Sequence, residues 1–289
     1  MTEASIGIIG GSGVYDLDGL QNPHWVSIDT PFGQPSDDLL LGTLDGVSLA
    51  FLPRHGRGHR YTPSTVNYRA NVWALKSLGV HSVVSLSAVG SLREDIAPGT
   101  LVLVDQFIDR THGRVGSFFG PGLVAHVSMA EPTCGWLRGL LGQAADHAGD
   151  AVTQGGTYLA MEGPQFSTKA ESHLYRQWGC SVVGMTNMPE AKLVREAEMC
   201  YATVAMATDY DCWHEGHDAV TVEQVVQVLQ SNSARARALV RALIPLLQAP
   251  QKTCGCGQAL DHAIITPRAA WDAELAQQVA LLVARLDHP

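Results

Sequence analysis

The sequence has little charge and no excess of positive charge. Charged residues make up 16% of the 289 residues, and the formal net charge is −9. An acidic chain lacks the positive face that binds a nucleic-acid backbone or an anionic membrane, so neither partner is expected. So few charged residues leave apolar surface that contacts between subunits can cover, which favours an oligomer.

Long apolar runs, repeats and low-complexity tracts are also missing. No stretch approaches the 18 consecutive apolar residues of a membrane-spanning helix. Glu3 and an early strand-like run stand where a signal peptide has basic residues and then an apolar stretch, so we expect a cytoplasmic protein. The pattern predicts one domain over residues 1–250 and a C-terminal tail over residues 251–289, with a terminal helix near Ala273–Leu286.

The six cysteines fall into two groups. Four of them adjoin apolar or Trp-containing segments and are expected to be reduced structural thiols, namely Cys134, Cys180, Cys200 and Cys212. Cys254 and Cys256 lie in Gln248–Leu260, a segment rich in Pro, Gly, Cys and Gln that is expected to be a linker. A disulfide between residues two apart is strained, and these two thiols with His262 are too few ligands for zinc. We therefore expect a mobile tail with incidental thiols.

Short apolar runs alternate with segments of helical period. The expected buried strands are Ile6–Ile9, Val47–Leu52, Ser82–Ala88, Leu101–Val104, Ser181–Val183 and Tyr201–Ala207. The expected helices are Val66–Leu78, Ser167–Trp178, Pro189–Met199 and Val220–Leu247, the last with a capping box of Thr221 and Gln224. This alternation predicts an α/β fold with a mostly parallel or mixed sheet, helices on both faces, and a ligand site at the carboxyl ends of the strands.

The first strand is followed by a glycine-rich loop, Gly10-Gly11-Ser12-Gly13. Glycines let the backbone approach an anion closely, and Ser12 adds a hydroxyl donor. The dinucleotide-binding fingerprint fails because Asp16 stands where its third glycine is needed, and a Walker loop fails because no lysine is present. The loop is therefore either an anion site or a plain tight turn.

A second loop, residues 53–59, places two arginines and two histidines directly after an apolar strand. Arg54 offers a planar guanidinium fork that suits phosphate oxygens. Four potential cations repel one another unless an anion or solvent separates them, so a solvated basic loop is the alternative. A metal site on His55 and His59 would lack a carboxylate or third histidine to complete it.

Two further segments complete the candidate site. Residues 87–94 bring small hydroxyl and glycine residues to another strand end, so three donor-rich loops predict one convergent phosphate site. Asp209 and Asp211 follow the last apolar run, and their alternation on an extended chain would point both side chains the same way. A carboxyl group in such apolar surroundings can stay protonated near neutral pH and act as a general acid. The alternative is a pair of turn aspartates that closes the strand.

Taken together, these segments resemble the methylthioadenosine phosphorylase branch of the trimeric purine nucleoside phosphorylases. The resemblance extends from about Ile6 to Leu247. Its motifs are Gly7–Gly13, Thr30–Gly33, Arg54–Gly56 with His59, Pro63 with Val66–Tyr68, Gly90–Glu94, Asp105–Thr111, Glu162–Ser167, Gly184–Thr186 with Pro189-Glu190, and Ala207–Trp213. The resemblance implies a single-domain α/β phosphorylase fold with a central mixed, partly barrel-like sheet flanked by helices.

The resemblance also implies a phosphate site and a catalytic acid. The phosphate-binding residues would be Ser12, Arg54, His55, Ser87, Ala88 through its backbone, and Thr186. Position 87 is usually threonine in the family, so serine keeps the hydroxyl. Asp209 would protonate the purine at N7, and Asp209 and Asp211 would both read the 6-amino group. Inorganic phosphate is the implied co-substrate, with no metal and no organic cofactor.

The remaining implied residues contact the nucleoside. They are His59, Pro63, His126, Phe166, Met185, Val222, Val225 and Val226. Phe166 would pack on the purine and Met185 on the ribose. The valines, with His59 and Pro63, would line an apolar methylthio pocket, although on spacing alone they are an ordinary buried helical stripe. His126 would reach a neighbouring subunit's pocket, which makes a homotrimer part of the site.

The implied activity is that of a pentosyltransferase in purine and methionine salvage. It would convert 5'-methylthioadenosine and phosphate to adenine and 5-methylthioribose 1-phosphate. The aspartate pair favours adenine, since phosphorylases of 6-oxopurines place asparagine at this site. Three alternatives stay open: a 6-oxopurine or methylthioinosine phosphorylase, a broader phosphorylase that also uses 5'-deoxyadenosine, and a nucleoside sensor without turnover.

Overall fold

The fold is built on one large mixed sheet. The computed structural model describes residues 4–11, 17–215, 222–248 and 252–287, with the backbone alone for residues 222–227, 229, 230 and 287. Its strands are β1 (Ile6–Gly10), β2 (Gln21–Val26), β3 (Leu39–Leu44), β4 (Val47–Pro53), β5 (Ser82–Ser91), β6 (Leu101–Leu103), β7 (Gln106–Arg110), β8 (Val152–Gln154), β9 (Thr157–Met161), β10 (Val182–Gly184) and β11 (Cys200–Asp209).

Helices connect many of these strands. They are α1 (Tyr68–Ser77), α2 (Gly135–His147), α3 (Lys169–Gln177), α4 (Asn187–Glu196, with non-helical backbone at Met188), α5 (Val222–Gln248), α6 (Ala273–Gln278) and α7 (Ala280–Val283). Side chains begin several of them. The α3 helix starts with a capping box, in which Thr168 and Glu171 satisfy each other's backbone N–H groups. Within the described ranges, no helix has both the length and the apolar character needed to span a membrane.

The sheet branches at β5. Its main path runs β2-β3-β4-β1-β5-β10-β9-β7; off this path, β11 pairs with β5 and β6, and β6 pairs with β8. Strands β1, β4, β5 and β11 run parallel, so they end at one edge. These pairings do not close the sheet into a barrel. The predicted α/β fold with a mixed sheet is confirmed.

One detail of the expected strand pattern is wrong, namely the end of β5. The β5 strand does not stop at Ala88 but continues to Ser91, so Ser87 and Ala88 lie within a strand instead of a loop. The β10 strand runs antiparallel to β5, and Thr186 therefore reaches the middle of β5 from the opposite direction. The expected end at Ala88 came from the apolar run in the sequence. Pairing with β11 extends β5 past Ala88, because Val89 pairs with Ala207 and Gly90 pairs with Asp209.

Apolar side chains pack on both faces of the sheet. One cluster includes residues of α1 and α4, such as Val72 and Leu193, and the other includes residues of α2 and α5, such as Leu141 and Leu239. Burial of apolar area is the main favourable contribution to such a fold. The sheet is therefore fixed from both sides, and the parallel strand ends become rigid supports for side chains.

The C-terminal segment also packs against the body of the protein. Leu260, Val279 and Leu282 are nearly inaccessible to solvent and belong to the same apolar cluster as Val72 of α1. The expected single terminal helix is instead α6, α7 and a final 3-10 turn. The expectation of a mobile tail is wrong for residues 252–287, because irregularly spaced apolar residues of this segment are buried in the core.

Candidate active site

A buried ion pair supports one end of the candidate site. Strand β4 ends at Pro53, and the backbone N–H of Arg54 donates to the Gly10 carbonyl at 2.9 Å. The Arg54 side chain is 2% exposed and pairs with Glu190, with Nε to Oε2 at 2.7 Å and Nη2 to Oε1 at 3.1 Å. Burial alone would lower the pKa of Arg54, but the Glu190 carboxylate outweighs it and raises that pKa.

The other Arg54 donors also have partners. Nη1 donates to the Leu86 carbonyl at 3.0 Å, and Nη2 donates to the Ser85 hydroxyl at 2.6 Å. Of the five N–H groups of a guanidinium, these contacts among the described residues leave one on Nη1. The fork that suggested direct phosphate binding is therefore turned largely toward the protein, where it fixes the position of β5 relative to α4.

A cluster of three hydroxyl groups forms around Ser87, two residues along β5 from the Arg54 partner Ser85. The Ser87 Oγ is 3.1 Å from Thr186 Oγ1 and 3.1 Å from the Tyr158 hydroxyl. The Thr186 backbone N–H also donates to the Tyr158 hydroxyl at 3.4 Å. Ala88 follows Ser87 in β5 and is half-buried. Hydroxyl groups can rotate to donate to an anion, so this cluster can provide several hydrogen bonds to phosphate oxygens.

A pair of stacked imidazole rings forms part of the loop after β4. The His55 and His59 rings lie 4.4 Å apart and nearly parallel. Nδ1 of His55 is 2.9 Å from the Tyr61 carbonyl, which can only accept, so Nδ1 must carry the proton. Burial and then the charge of Arg54 lower the pKa of His55 to about 4. His55 is therefore neutral at pH 7 in the free protein, with Nε2 left as an acceptor.

Two carboxyl groups lie at the far end of β5. Asp209 is the last residue of β11, and its Oδ2 accepts from the Thr208 hydroxyl at 2.6 Å while Oδ1 accepts from the Asp211 N–H at 2.7 Å. A Cβ atom at Gly90 of β5 would lie 3.0 Å from Asp209 Oδ1 and 3.1 Å from Asp211 Cβ. The close approach of β5 to both aspartates therefore depends on glycine at position 90.

The extended-chain argument for the two aspartates is wrong in its premise. The strand ends at Asp209, and Asp211 lies in a turn with a φ of 51°. Aspartate tolerates this left-handed region better than most residues. The two carboxyl groups are still brought together, but by a hydrogen bond between a side chain and a backbone N–H rather than by the alternation of a strand.

Burial perturbs both carboxyl groups in the same direction. Burial raises the pKa of Asp209, and Asp211 adds to the rise, while the Thr208 hydroxyl and the Asp211 N–H oppose it. Burial likewise raises the pKa of Asp211, against the opposing effect of nearby serine hydroxyls. The hydrogen bonds found for these two carboxyl groups among the described residues include none from lysine or arginine. Such a site favours a protonated acid.

A strand-to-helix loop adds apolar side chains near the aspartates. The Cys212 thiol donates to the Ser167 carbonyl at 3.2 Å, so the loop that carries Phe166 lies against the Asp211 turn. The Phe166 side chain is 50% exposed. Gly163 has a φ of +68°, and a Cβ there would lie 2.5 Å from the sulfur of Met185. Phe166 and Met185 thus approach from two adjoining segments, as a purine and a ribose would require.

Glu162 and Arg114 hold this loop in place, and neither was assigned a role from the sequence. Arg114 donates to the backbone carbonyls of Met185 and Glu162 at 2.6 Å and 2.7 Å. Burial opposes ionisation of Glu162, but hydrogen bonds from Ser64 and the backbone of His112, together with the charge of Arg114, lower its pKa to about 2. Nearby Pro63 is buried, and its carbonyl accepts from the Tyr68 hydroxyl at 2.8 Å.

Several predicted site residues cannot be placed in this arrangement. Ser12 lies outside the described residues, as do the side chains of Val222, Val225 and Val226. The Thr221 half of the predicted capping box is also outside them. The His126 backbone N–H donates to the Ala263 carbonyl at 2.8 Å, so His126 is held by the C-terminal segment.

Some supporting residues had no role assigned from the sequence. Glu190 belongs to a quoted motif, and a buried arginine always needs such a partner, yet 136 residues separate it from Arg54. Tyr158 gave no local signal. Its hydroxyl would lie 2.0 Å from a Cβ at Gly184, so Gly184 is required for the hydroxyl cluster to form.

Comparisons with known proteins identify the family of this chain. Residues 5–245 match the family model of the phosphorylase superfamily. The S-methyl-5'-thioadenosine phosphorylase of Cereibacter sphaeroides is 57% identical over 97% of this chain and 98% of that protein. A methylthioadenosine phosphorylase from an antarctic soil metagenomic library superposes with a TM-score of 0.91 at 49% identity, covering 98% of this chain and 99% of that one.

A third relative was solved with a ligand. It is a mutant of the adenosine/methylthioadenosine phosphorylase of Schistosoma mansoni in complex with methylthioadenosine, with a TM-score of 0.82 and 34% identity over 97% of this chain and 98% of that one. The matched range contains both the hydroxyl cluster and the aspartate pair. The chain belongs to the phosphorylase superfamily.

Proposed function

We propose that this chain catalyses the phosphorolysis of 5'-methylthioadenosine to adenine and 5-methylthioribose 1-phosphate. The observation that carries the proposal is the arrangement along β5, where a hydroxyl cluster at Ser87 is separated by two residues from the Gly90 contact with two buried carboxyl groups. An anion site and an acid site so close together suit a bond that is cleaved between a sugar and a base. The names of the full-length relatives indicate the same reaction.

At the base end, Asp209 acts as the general acid. Adenine is a poor leaving group as an anion, but a proton delivered to N7 lets the base leave neutral as the electron pair of the glycosidic bond moves to N9. Burial raises the pKa of Asp209 toward the range in which such an acid works. Asp211 holds the backbone N–H that orients the Asp209 carboxyl group. Asp209 and Asp211 can each accept a hydrogen bond from the 6-amino group of adenine through a carboxyl oxygen.

At the sugar end, phosphate stabilises the positive charge that develops on the ribose and then bonds to C1'. Ser12, His55, Ser87, Thr186 and the Ala88 backbone are the proposed phosphate ligands, with Arg54 providing positive charge behind them. Because Arg54 is largely satisfied by Glu190, the hydroxyl groups make most of the direct contacts. The acceptor Nε2 of His55 suits a protonated phosphate oxygen. The bond changes balance without any cofactor.

The 5'-substituent occupies the region beyond the histidine stack. His59 and Pro63 line it on one side, and Val222, Val225 and Val226 are assigned to the other by family resemblance. An apolar pocket rejects an added hydroxyl by only about a hundredfold, so 5'-deoxyadenosine and adenosine are expected to be slower substrates.

The assembly is proposed to be a homotrimer in which His126 enters a neighbouring site. Exposed apolar side chains support an oligomer, since Ile265, close to the His126 segment, is 63% exposed and Val115 is 59% exposed. Light scattering on the eluting protein should give three times the subunit mass of 30.9 kDa. A monomer with full activity would refute the shared site.

A side-by-side assay tests the proposed reaction. Purified protein is incubated with phosphate and either methylthioadenosine, methylthioinosine or 5'-deoxyadenosine, and both the free base and the sugar phosphate are quantified. The proposal predicts equal amounts of adenine and sugar 1-phosphate and the highest kcat/KM with methylthioadenosine. A higher kcat/KM with methylthioinosine would indicate a 6-oxopurine enzyme, and binding without turnover would indicate a sensor.

A further inference from the structure

Four cysteines from three distant parts of the chain meet outside the candidate active site. Cys134 precedes α2, Cys200 begins β11, and Cys254 and Cys256 lie in the C-terminal segment. Their four sulfur atoms all lie within 4.8 Å of one another, and those of Cys200 and Cys254 are 3.4 Å apart. Three of the four residues are buried, and Cys254 is half-buried.

The spacing of the sulfur atoms suits a tetrahedral metal centre. A zinc–sulfur bond of about 2.3 Å places the sulfur atoms of a tetrahedral site roughly 3.8 Å apart. The four sulfur atoms here all lie within 4.8 Å of one another, and one pair is 3.4 Å apart, so their separations are close to this spacing. Four thiolates are also the ligand set that selects zinc over harder divalent ions.

We propose that Cys134, Cys200, Cys254 and Cys256 bind one Zn²⁺ ion per subunit as a closed structural site. All four positions of the tetrahedron are filled by protein, so the ion has no open position for a substrate and takes no part in the proposed reaction. The two cysteines of the C-terminal segment were recognised from the sequence as too few for zinc. The missing ligands, Cys134 and Cys200, are more than 50 residues away along the chain.

The charges around the cluster are of the sign that this site needs. A Zn²⁺ ion with four thiolates has a net charge of −2, which neighbouring cations stabilise. Nη1 of Arg195 lies 4.0 Å from the sulfur of Cys256, and Lys252 interacts electrostatically with the sulfur atoms of Cys200, Cys254 and Cys256. The sulfur of Cys134 also accepts from the Leu137 N–H in the first turn of α2, where a helix favours negative charge.

The location of the cluster indicates what the ion does. It would join the C-terminal segment to the beginnings of α2 and β11, next to the point where the Leu260 N–H donates to Glu198. The same segment holds the His126 backbone through Ala263. Because binding free energy at such a site adds to folding free energy, zinc should stabilise this attachment and with it the position of His126.

Metal analysis of untagged wild-type protein tests the inference. The protein is purified under reducing conditions with Zn²⁺ added, the excess is removed, and metal content is measured by plasma mass spectrometry and by native mass spectrometry. We expect one zinc per subunit, and four more thiols that react with a thiol reagent once a strong chelator is present. A protein without zinc would overturn the inference. This holds if its four thiols react freely, and also if they are oxidised to disulfides, which native mass spectrometry detects as a loss of two hydrogens per disulfide.

A pair of variants separates the cluster from cysteines in general. Cys254→Ser removes the half-buried ligand, and Cys180→Ser changes a buried cysteine of a different apolar cluster. We expect the first variant to lose at least tenfold in zinc affinity and to unfold at a lower temperature, while the second retains one zinc. If Cys254→Ser does not fold, the wild-type measurement decides alone. Equal zinc affinity in both variants would overturn the proposal, and neither result bears on the reaction assay.

Discussion

The two ends of the candidate site show how differently burial acts on charged groups. At the phosphate end, Arg54 and Glu190 are both nearly inaccessible, yet each provides the other's countercharge, and the Glu190 carboxylate raises the pKa of Arg54 against the effect of burial. At the base end, the described hydrogen-bond donors to Asp209 and Asp211 are hydroxyl groups, a thiol and backbone N–H groups, none of them cationic, and burial raises the pKa values of both carboxyl groups. The nature of the nearest partner therefore decides whether a buried group is a fixed charge or a proton donor.

The largest expected effect comes from removing the proton donor. Asp209→Asn keeps the shape of the side chain but cannot protonate N7. We expect kcat/KM for methylthioadenosine to fall by about 10²- to 10⁴-fold, the usual contribution of a general acid, with little change in the unfolding temperature. Steady-state adenine release measures it, and Asp146→Asn, an exposed carboxylate of α2, is the control. A variant with near-normal turnover would refute the acid role.

Breaking the ion pair should affect stability first. Glu190→Gln leaves the Arg54 guanidinium buried without a countercharge, which is expected to cost about 3–5 kcal/mol of unfolding free energy. Thermal and denaturant unfolding would measure the change, with the exposed Glu274→Gln as the control. If the Gln variant were as stable as the wild type, the pair would not be the fixed support described for β5.

A second glutamate of α4 sharpens the comparison, because Glu196 has no cationic hydrogen-bond partner among those found for it. Its oxygens accept from Ser117 and from the Phe118 N–H, both at 2.7 Å. Burial raises the pKa of Glu196 to about 7. The folded state thus holds a proton that the unfolded state loses, and stability should fall by roughly 3 kcal/mol as the pH rises from about 4.5 to 7.

The Glu196 effect has a simple control. Glu196→Gln cannot ionise, and its amide can still accept from Phe118 and donate to Ser117. Unfolding free energies measured across this pH range should therefore lose this part of their slope in the variant. An unchanged slope would show that Glu196 is already ionised in the folded protein.

The smallest expected effect is at the hydroxyl cluster. Ser87→Ala removes one donor to phosphate while Thr186 and Tyr158 remain, so the KM for phosphate should rise by about 10- to 100-fold, the equivalent of one hydrogen bond to a charged group. Ser91→Ala, a buried serine of the same strand, is the control. Loss of kcat with an unchanged KM for phosphate would place Ser87 elsewhere in the mechanism.

Local patterns predicted the strands and helices that frame the site, because apolar periodicity depends only on residues that are close together in the sequence. Strands β1 and β4 differ from their expected bounds by one residue. Contacts between distant residues left no local signal. Glu190 is 136 residues from Arg54, and Tyr158 is 71 residues from Ser87, so their roles followed only from the folded arrangement. A turn at Asp211 was the alternative prediction, and the local sequence did not decide between a turn and an extended chain.

The most direct test of whether burial without a countercharge makes Asp209 the acid is the pH dependence of turnover. It is measured at saturating phosphate in the wild type and in Asp209→Asn. The account predicts that kcat/KM for methylthioadenosine falls in the wild type as the pH rises through the elevated pKa of Asp209, and that this decrease is absent from the variant. An identical decrease in both proteins would belong to another group and would contradict the account.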